Sequence, residues 1–346
     1  MVKVGVIGCG KIAITRHLPE YASNPDVEIV GVYDFNLERA KEVAEQYQTR
    51  AYESVEEMLN DPQIEAVSVC VRNSDHSKVT VDALRAGKHV LCEKPMAVSL
   101  DECKEMVKTA EKTGKKLMIG HNQRFNRTHM KAKELIKNGA IGKVLSFKTT
   151  FGHGGPETWT VDKKNVWFFD KRFSAFGAMA DLGVHKTDLL IFLLETKVKK
   201  VTAVLKTLDK KDAEGNLINV DDNAICIYEM ENGAVGTMTA SWTYYGEEDN
   251  STIIYGSEGI LKIYDDPNYS IVRIGKDGTK IYYELDKMQT NDNQTKSGII
   301  DSWVAAIKND TVPEVNGKDA LDAMKAIFAA LESSESGQTV EITEED

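Results

Sequence analysis

The chain has 346 residues, enough for two domains at about 150 residues each. With 42% hydrophobic and 28% charged residues, and 25 Gly and 7 Pro in no fixed repeat, it is neither mainly disordered nor collagen-like. A formal net charge of −11, from 54 acidic and 43 basic residues, makes nucleic acid and anionic membranes poor partners, and no apolar run approaches bilayer-spanning length.

The first 120 residues alternate short β-branched runs with amphipathic stretches. VKVGVI (2–7) starts at once and leaves no room for a signal peptide. VEIVGVY (27–33), IEAVSVCV (64–71), HVLCE (89–93) and KLMIG (116–120) follow as buried strands of a parallel sheet. Helix signals lie between them: Asn36 before LERAKEVAEQY, a Ser54-to-Glu57 capping box, and a second from Ser99 to Glu102. Gly87 and Gly114 close helical runs. This alternation predicts an α/β doubly wound sheet with right-handed crossovers over residues 1–122.

From residue 123 to 346 a second domain is expected. A helix (128–139) leads into IGKVLSFKTTF and then an irregular stretch rich in Gly and aromatics. KVTAVLKTL, NAICIYEM, GAVGTMTASW, STIIYG, ILKIY, SIVRIG and KIYYEL are strands, and MENGA and GKDGT join neighbours as hairpins, giving an antiparallel or mixed sheet. NAICIYEM and GTMTASW carry apolar residues on both alternating sets, so the sheet's second face needs cover and a homodimer or homotetramer is expected. Two helices (299–309 and 319–335) precede QTVEIT and an acidic tail. The cysteines Cys9, Cys70, Cys92, Cys103 and Cys226 are odd in number and contain no CxxC pair, which predicts a reducing, cytoplasmic setting without disulfides.

Three motifs carry chemistry. Gly8-Cys9-Gly10-Lys11-Ile12-Ala13 stands between a strand and a helix, where Gly8 permits the tight turn, Gly10 lets a pyrophosphate reach the backbone and Ala13 allows close packing. The alternative is a glycine turn with no ligand. Asp34 ends the second strand, where an acid bonds ribose hydroxyls and repels a 2′-phosphate, which favours NAD; Arg39 and Lys41 could offset that and admit NADP. Glu93-Lys94-Pro95 stands at the carboxyl end of the strand HVLCE, the side on which open α/β sheets bind ligands. Pro95 confines Lys94 to extended angles, although a lysine at a strand end is more often a solvated charge. In Asp181-Leu182-Gly183-Val184-His185, residues four apart share a helix face, so Asp181 and His185 can point into one cleft. Such a pair is also compatible with a helix surface or a metal site, but no third metal ligand stands at plausible spacing, so no metal is expected.

Taken together, GCGKIA, NSDH, AGKHVLCEKP, HNQRF and GAMADLGVHKTD resemble the Gfo/Idh/MocA family of NAD(P)-dependent oxidoreductases, and the likeness runs along the whole chain. The resemblance implies an N-terminal Rossmann domain and a C-terminal α+β domain with a large open, mainly antiparallel sheet. It places Lys94 beside the nicotinamide and the reacting oxygen, makes Asp181 a substrate ligand and makes His185 the proton carrier. It implies that Gly8, Gly10, Lys11, Ile12, Asp34, Asn73, His76, Glu93 and Lys94 line the cofactor, with helix capping a second role for Asn73. Asn122, Gln123 and Arg124 are implied near substrate. His153, Trp159, Trp167, Phe168 and Phe169 can stack on a sugar ring or simply pack a loop or subunit contact. Arg72, His121 and the short run Ala175-Phe176-Gly177 depart from the family's usual residues. The activity implied is hydride transfer between NAD(P) and a secondary alcohol of a sugar, polyol or inositol. The alternatives are an NAD-dependent glycoside hydrolase of the same fold and a non-catalytic dinucleotide sensor, against which the joint presence of Lys94, Asp181 and His185 argues.

Overall fold

Six strands, β1 Val2–Ile7, β2 Val27–Tyr33, β3 Arg50–Ala51, β4 Ala66–Val69, β5 His89–Cys92 and β6 Leu117–Ile119, make a sheet in the order β3-β2-β1-β4-β5-β6. Every pairing in it is parallel. The sequence runs outward in both directions from β1 and β4, so the carboxyl ends of these two neighbours form the switch point at which doubly wound sheets bind ligands. The crossover helices are α1 Leu18–Ser23, α2 Leu37–Tyr47, α3 Val55–Asn60, α4 Asn73–Arg85 and α5 Leu100–Thr113. Asn36, Ser54 and Ser99 cap α2, α3 and α5 by accepting the backbone N–H of Arg39, Glu57 and Glu102. Strand β4 is buried along its whole length, as expected for a run covered on both faces.

The computed structural model describes residues 1–161, 166–287 and 296–343. By contacts the chain forms two units: Met1–Asn122 with the described residues of 159–162 and 289–321, and Gln123–Thr158 with the described residues of 163–288 and 322–346. The sequence boundary gave residues 123–346 to one domain, yet the helix Ile299–Lys308 packs on α1 and β1. Asn24 donates to Asp301 at 2.8 Å, Ile119 N–H to the Val315 carbonyl at 3.0 Å, and Trp303 is fully buried there. The amphipathic face of this helix says that it is covered but not by which sheet.

The second unit holds α6 Arg127–Lys137, β7 Val144–Gly152, α7 Lys171–Ser174, α8 Val184–Leu194 and β8 Val198–Lys206. Strands β9 Asn223–Met230, β10 Val235–Ser241, β11 Thr252–Gly256, β12 Gly259–Ile263, β13 Ile271–Gly275, β14 Lys280–Tyr283 and β15 Val340–Glu341 complete it. The nine-stranded sheet runs β14-β13-β12-β11-β7-β10-β9-β8-β15, antiparallel except for the β7–β10 pair. Along β9 burial alternates residue by residue: Ala224, Cys226, Tyr228 and Met230 turn inward, while Ile225 and Ile227 are more than half exposed. Helix α8 is apolar nearly all round and packs against α6 and β7. Three of its polar side chains are tied down: Thr187 to Tyr228 at 2.9 Å, Lys186 to the Asn250 carbonyl at 2.8 Å, and Asp188 to Arg124.

Among the described residues no helix is long and apolar enough to cross a membrane, and no group of three or more His, Cys, Asp or Glu could hold a metal ion. All five cysteines are buried free thiols.

The Arg124–Asp188 pair is bidentate, at 2.8 and 2.5 Å, and both side chains are buried. Removing one partner strands a buried charge, whereas replacing both with apolar residues does not. Arg124→Met should therefore cost about 3–5 kcal/mol of unfolding free energy. The double variant Arg124→Met/Asp188→Leu should recover most of that loss in urea denaturation.

Candidate active site

Strand β1 delivers the chain to Gly8, which adopts φ +98°. A Cβ at this position would lie 2.4 Å from the Cys70 carbonyl oxygen at the end of β4, so only glycine fits the switch point. A Cβ on Gly10, by contrast, would meet nothing within 4 Å, which leaves its backbone open to a ligand. Lys11 and Ile12 follow as the first helical residues, half-buried, and the helix then passes through a π-helical turn, Ala13–His17. Asp34, buried at the end of β2, accepts the Cys9 N–H at 2.8 Å and the Asn36 N–H at 2.9 Å, and Arg39 stands 3.6 Å from it. One carboxylate thus fastens the glycine loop to the start of α2. The exposed Phe35 ring lies beside it, with the guanidinium groups of Arg39 and Arg72 at 6.0 and 5.1 Å from its centre. An open Gly10, a helix N-terminus and an acid at the end of β2 fit a dinucleotide.

Three residues expected near ligands also have partners within the protein. Glu93 is buried and bound to His17 at 2.8 Å and Arg16 at 3.3 Å. His76, fully buried, lies 2.7 Å from the Pro95 carbonyl and 3.2 Å from that of Val71. Arg124 pairs with Asp188. Each satisfies a buried charge or polar group that would otherwise be stranded. Asn73 opens α4 rather than capping it, the cap position being Arg72. Lys94 is half-buried, and its peptide bond to Pro95 is cis. The buried Asn122 Oδ1 accepts no hydrogen bond, an unmet acceptor of the kind a hydroxyl would satisfy.

In the second unit the DLGVH motif begins with another π-helical turn, Met179–Gly183, and runs on into α8. Asp181 and His185 are both nearly buried. Asp181 accepts the Trp242 indole N–H at 3.1 Å, and Phe151 lies against the His185 ring, with centres 6.0 Å apart. The start of this helix is held by Asp221, whose two oxygens accept the N–H groups of Gly177 and Met179 at 2.7 and 2.8 Å. Burial nevertheless pushes the Asp221 carboxyl up to about 6. Gly177 is required here, since a Cβ would sit 1.8 Å from the Asp221 carbonyl oxygen. Next to His185, the fully buried Lys186 has its ammonium pulled down to about 7 by burial. His153 accepts the Gly155 N–H at 2.9 Å and packs edge-on against Phe151. Trp167 stacks on Phe168 at 3.8 Å, while Phe168 and Phe169 lean on Trp242. Sequence reasoning missed Trp242, Asp221, Lys186 and the pairing of His17 with Glu93. Their partners lie tens of residues away, and no local spacing records such contacts.

Residues 2–121 match the family profile described as an oxidoreductase family with an NAD-binding Rossmann fold. Residues 129–262 match the GFO/IDH/MocA C-terminal domain. The chain is 26% identical to myo-inositol 2-dehydrogenase of Thermotoga maritima, over 99% of each chain. It is 33% identical to glucose-6-phosphate 3-dehydrogenase of Bacillus subtilis, over 67% of this chain and 65% of that one. Its fold is that of levoglucosan dehydrogenase solved with NADH and levoglucosan, with a TM-score of 0.88, 23% identity and coverage of 99% and 100%. With the glycine loop and its acid intact and both halves matched, the chain belongs to the Gfo/Idh/MocA family of oxidoreductases, and its first unit is an NAD-binding Rossmann domain.

Proposed function

We propose that this oxidoreductase moves a hydride between NAD and a secondary alcohol of a sugar, polyol or inositol. The observation that carries the reading is the buried Asp181–His185 pair on one helix, in a chain that also keeps Lys94 at the end of β5. Sugar and inositol dehydrogenases among the relatives support the substrate class.

Gly8, Gly10, Lys11, Ile12, Asp34 and Asn73 would hold the dinucleotide, the loop amides facing the pyrophosphate and Asp34 the ribose. Bound NAD+ supplies the hydride acceptor. A departing hydride leaves positive charge on the reacting carbon unless the hydroxyl proton also goes, and His185 accepts that proton. Lys94 donates a hydrogen bond to the same oxygen and stabilises its developing negative charge. Asp181, steadied by the Trp242 indole, accepts a bond from a neighbouring hydroxyl and orients the ring. Asn122 Oδ1, His153 and Trp167 complete the substrate contacts, the last through an aromatic face.

We propose further that the protein is a cytoplasmic homo-oligomer. The free buried thiols suit a reducing compartment. Val204, Ile225, Ile227 and Val235 leave an apolar stripe on the outer face of the nine-stranded sheet that a second copy would cover.

A panel of inositols, polyols and aldoses, myo-inositol first, should contain compounds that reduce NAD+. Glycoside cleavage without NADH release would replace the reading with hydrolysis. On the best substrate, His185→Ala should lower turnover about 10²–10⁴-fold while NAD+ still binds, and near-normal turnover would remove it from the mechanism. Asp34→Ser removes the carboxylate beside Arg39, so calorimetry should find weaker NAD+ binding and tighter NADP+ binding; wild-type preference for NADP+ would contradict the role given to Asp34. Light scattering should give a multiple of 38.4 kDa, and a monomer at micromolar concentration would remove the proposed interface.

A further inference from the structure

Lys94 stands between two neighbours that are both gripped by buried histidines. On its N-terminal side, Glu93 is buried, with Oε1 taking the His17 Nε2 at 2.8 Å and the Arg16 Nη1 at 3.3 Å. The other oxygen, Oε2, accepts the backbone N–H of Lys94 itself at 3.2 Å. Behind His17 the chain of bonds continues through Ser68 Oγ at 3.0 Å to the hydroxyl of Tyr21 at 2.8 Å. With His17 protonated on Nε2, every link runs donor to acceptor: Tyr21 to Ser68, Ser68 to His17, His17 to Glu93. On the C-terminal side, the Pro95 carbonyl lies 2.7 Å from His76 Nδ1, and the far side of that ring meets the Val71 carbonyl at 3.2 Å.

This is a costly way to fill a core. Burial would raise the Glu93 carboxyl, but the His17 bond and the Arg16 charge outweigh it and hold the group at about 2. A buried ion pair is often matched or bettered in stability by apolar residues of the same volume, so retaining one at this place calls for a role other than stability. Room is reserved for it as well: a Cβ on Gly120 would come within 2.8 Å of Glu93 Oε2. His17, Arg16, Ser68, Tyr21 and His76 come from three separate elements, and their bonds converge on the residues on either side of one lysine.

We infer that His17, acting through Glu93, and His76, acting through the Pro95 carbonyl, are positioning residues that aim Lys94. The inference rests on the reading that Lys94 meets the substrate oxygen. Neither histidine touches the reacting atoms in this scheme. A misplacement of about 1 Å can cost on the order of 100-fold in rate, which sets the scale of the expected effect.

The test uses the full-length enzyme with His17→Leu, His76→Leu and the conservative His17→Gln, whose amide can still donate to Glu93. One readout needs no substrate: reductive methylation of the lysines with 13C-formaldehyde and a borane reductant, with the Lys94 signal assigned by its loss in Lys94→Ala. An aimed Lys94 should give a resolved signal that moves to the surface-lysine position in both leucine variants and returns in His17→Gln. In steady-state oxidation of the panel's best substrate, both leucine variants should lose about 10- to 100-fold in kcat with the Kd for NAD+ within twofold. In a Lys94→Ala background the same substitutions should add no further loss. If His17→Leu fails to fold, Ser68→Ala, which strips His17 of its orienting partner, carries the test. An unmoved Lys94 signal, kcat within twofold of wild type, parallel loss of NAD+ binding, or undiminished effects without Lys94 would each overturn the aiming role. Normal turnover in Lys94→Ala would instead overturn the catalytic reading of Lys94, and the methyl signal would still decide whether the histidines hold it.

Discussion

In each unit a helix has to start where its backbone runs against another segment's carbonyl, with no space for a side chain. At Gly8 the obstacle is the Cys70 carbonyl at the end of β4, and at Gly177 it is the carbonyl of Asp221. Both glycines are followed within a few residues by a π-helical turn, Ala13–His17 in one unit and Met179–Gly183 in the other. A π turn is uncommon and makes a locally widened helix, a form that recurs at functional positions. Here it lies beside the cofactor loop in the first unit and carries Asp181 in the second. The two halves share no sequence pattern, yet both bring backbone into close contact at the start of the helix that matters.

The acidic composition takes on a structural meaning in this light. Several carboxylates do not face water but join segments far apart in the chain. Asp34 binds the amides of Cys9 and Asn36, Asp221 those of Gly177 and Met179, and Asp222 those of Leu208, Asp209 and Lys210. Glu93 and Asp188 take side-chain cations instead. Hydrogen bonds to an ionised group are stronger than neutral ones, and losing either partner leaves the other buried and unmet. Such staples cluster around the glycine loop, around Lys94 and around the DLGVH helix. The loops there are held by directional contacts where apolar packing alone would leave several arrangements open.

Features that depend on near neighbours were legible in the sequence. The capping boxes at Ser54 and Ser99, the glycine turn after β1 and the acid at the end of β2 all act over a few residues or follow from strand-end chemistry. NAICIYEM, apolar on both alternating sets, did not say which set turns inward. Contacts closed by the fold were not legible. His17 meets Glu93 across 76 positions, and Asp221 meets Gly177 across 44. Strand β7 pairs in parallel with β10, which lies far along the chain, and no local signal records that pairing. Glu93, His76 and Arg124, read from their motifs as lining a ligand, also hold protein partners that no motif records.

The central claim is hydride transfer from a carbon-bound hydrogen to NAD+. It is tested most directly with the panel's best substrate, deuterated on the carbon bearing the oxidised hydroxyl, followed by NMR of the recovered nicotinamide. The account predicts one deuterium on the para carbon of the reduced ring for each ketone formed. Deuterium released into water, or consumption of substrate with no reduced nicotinamide, would contradict it.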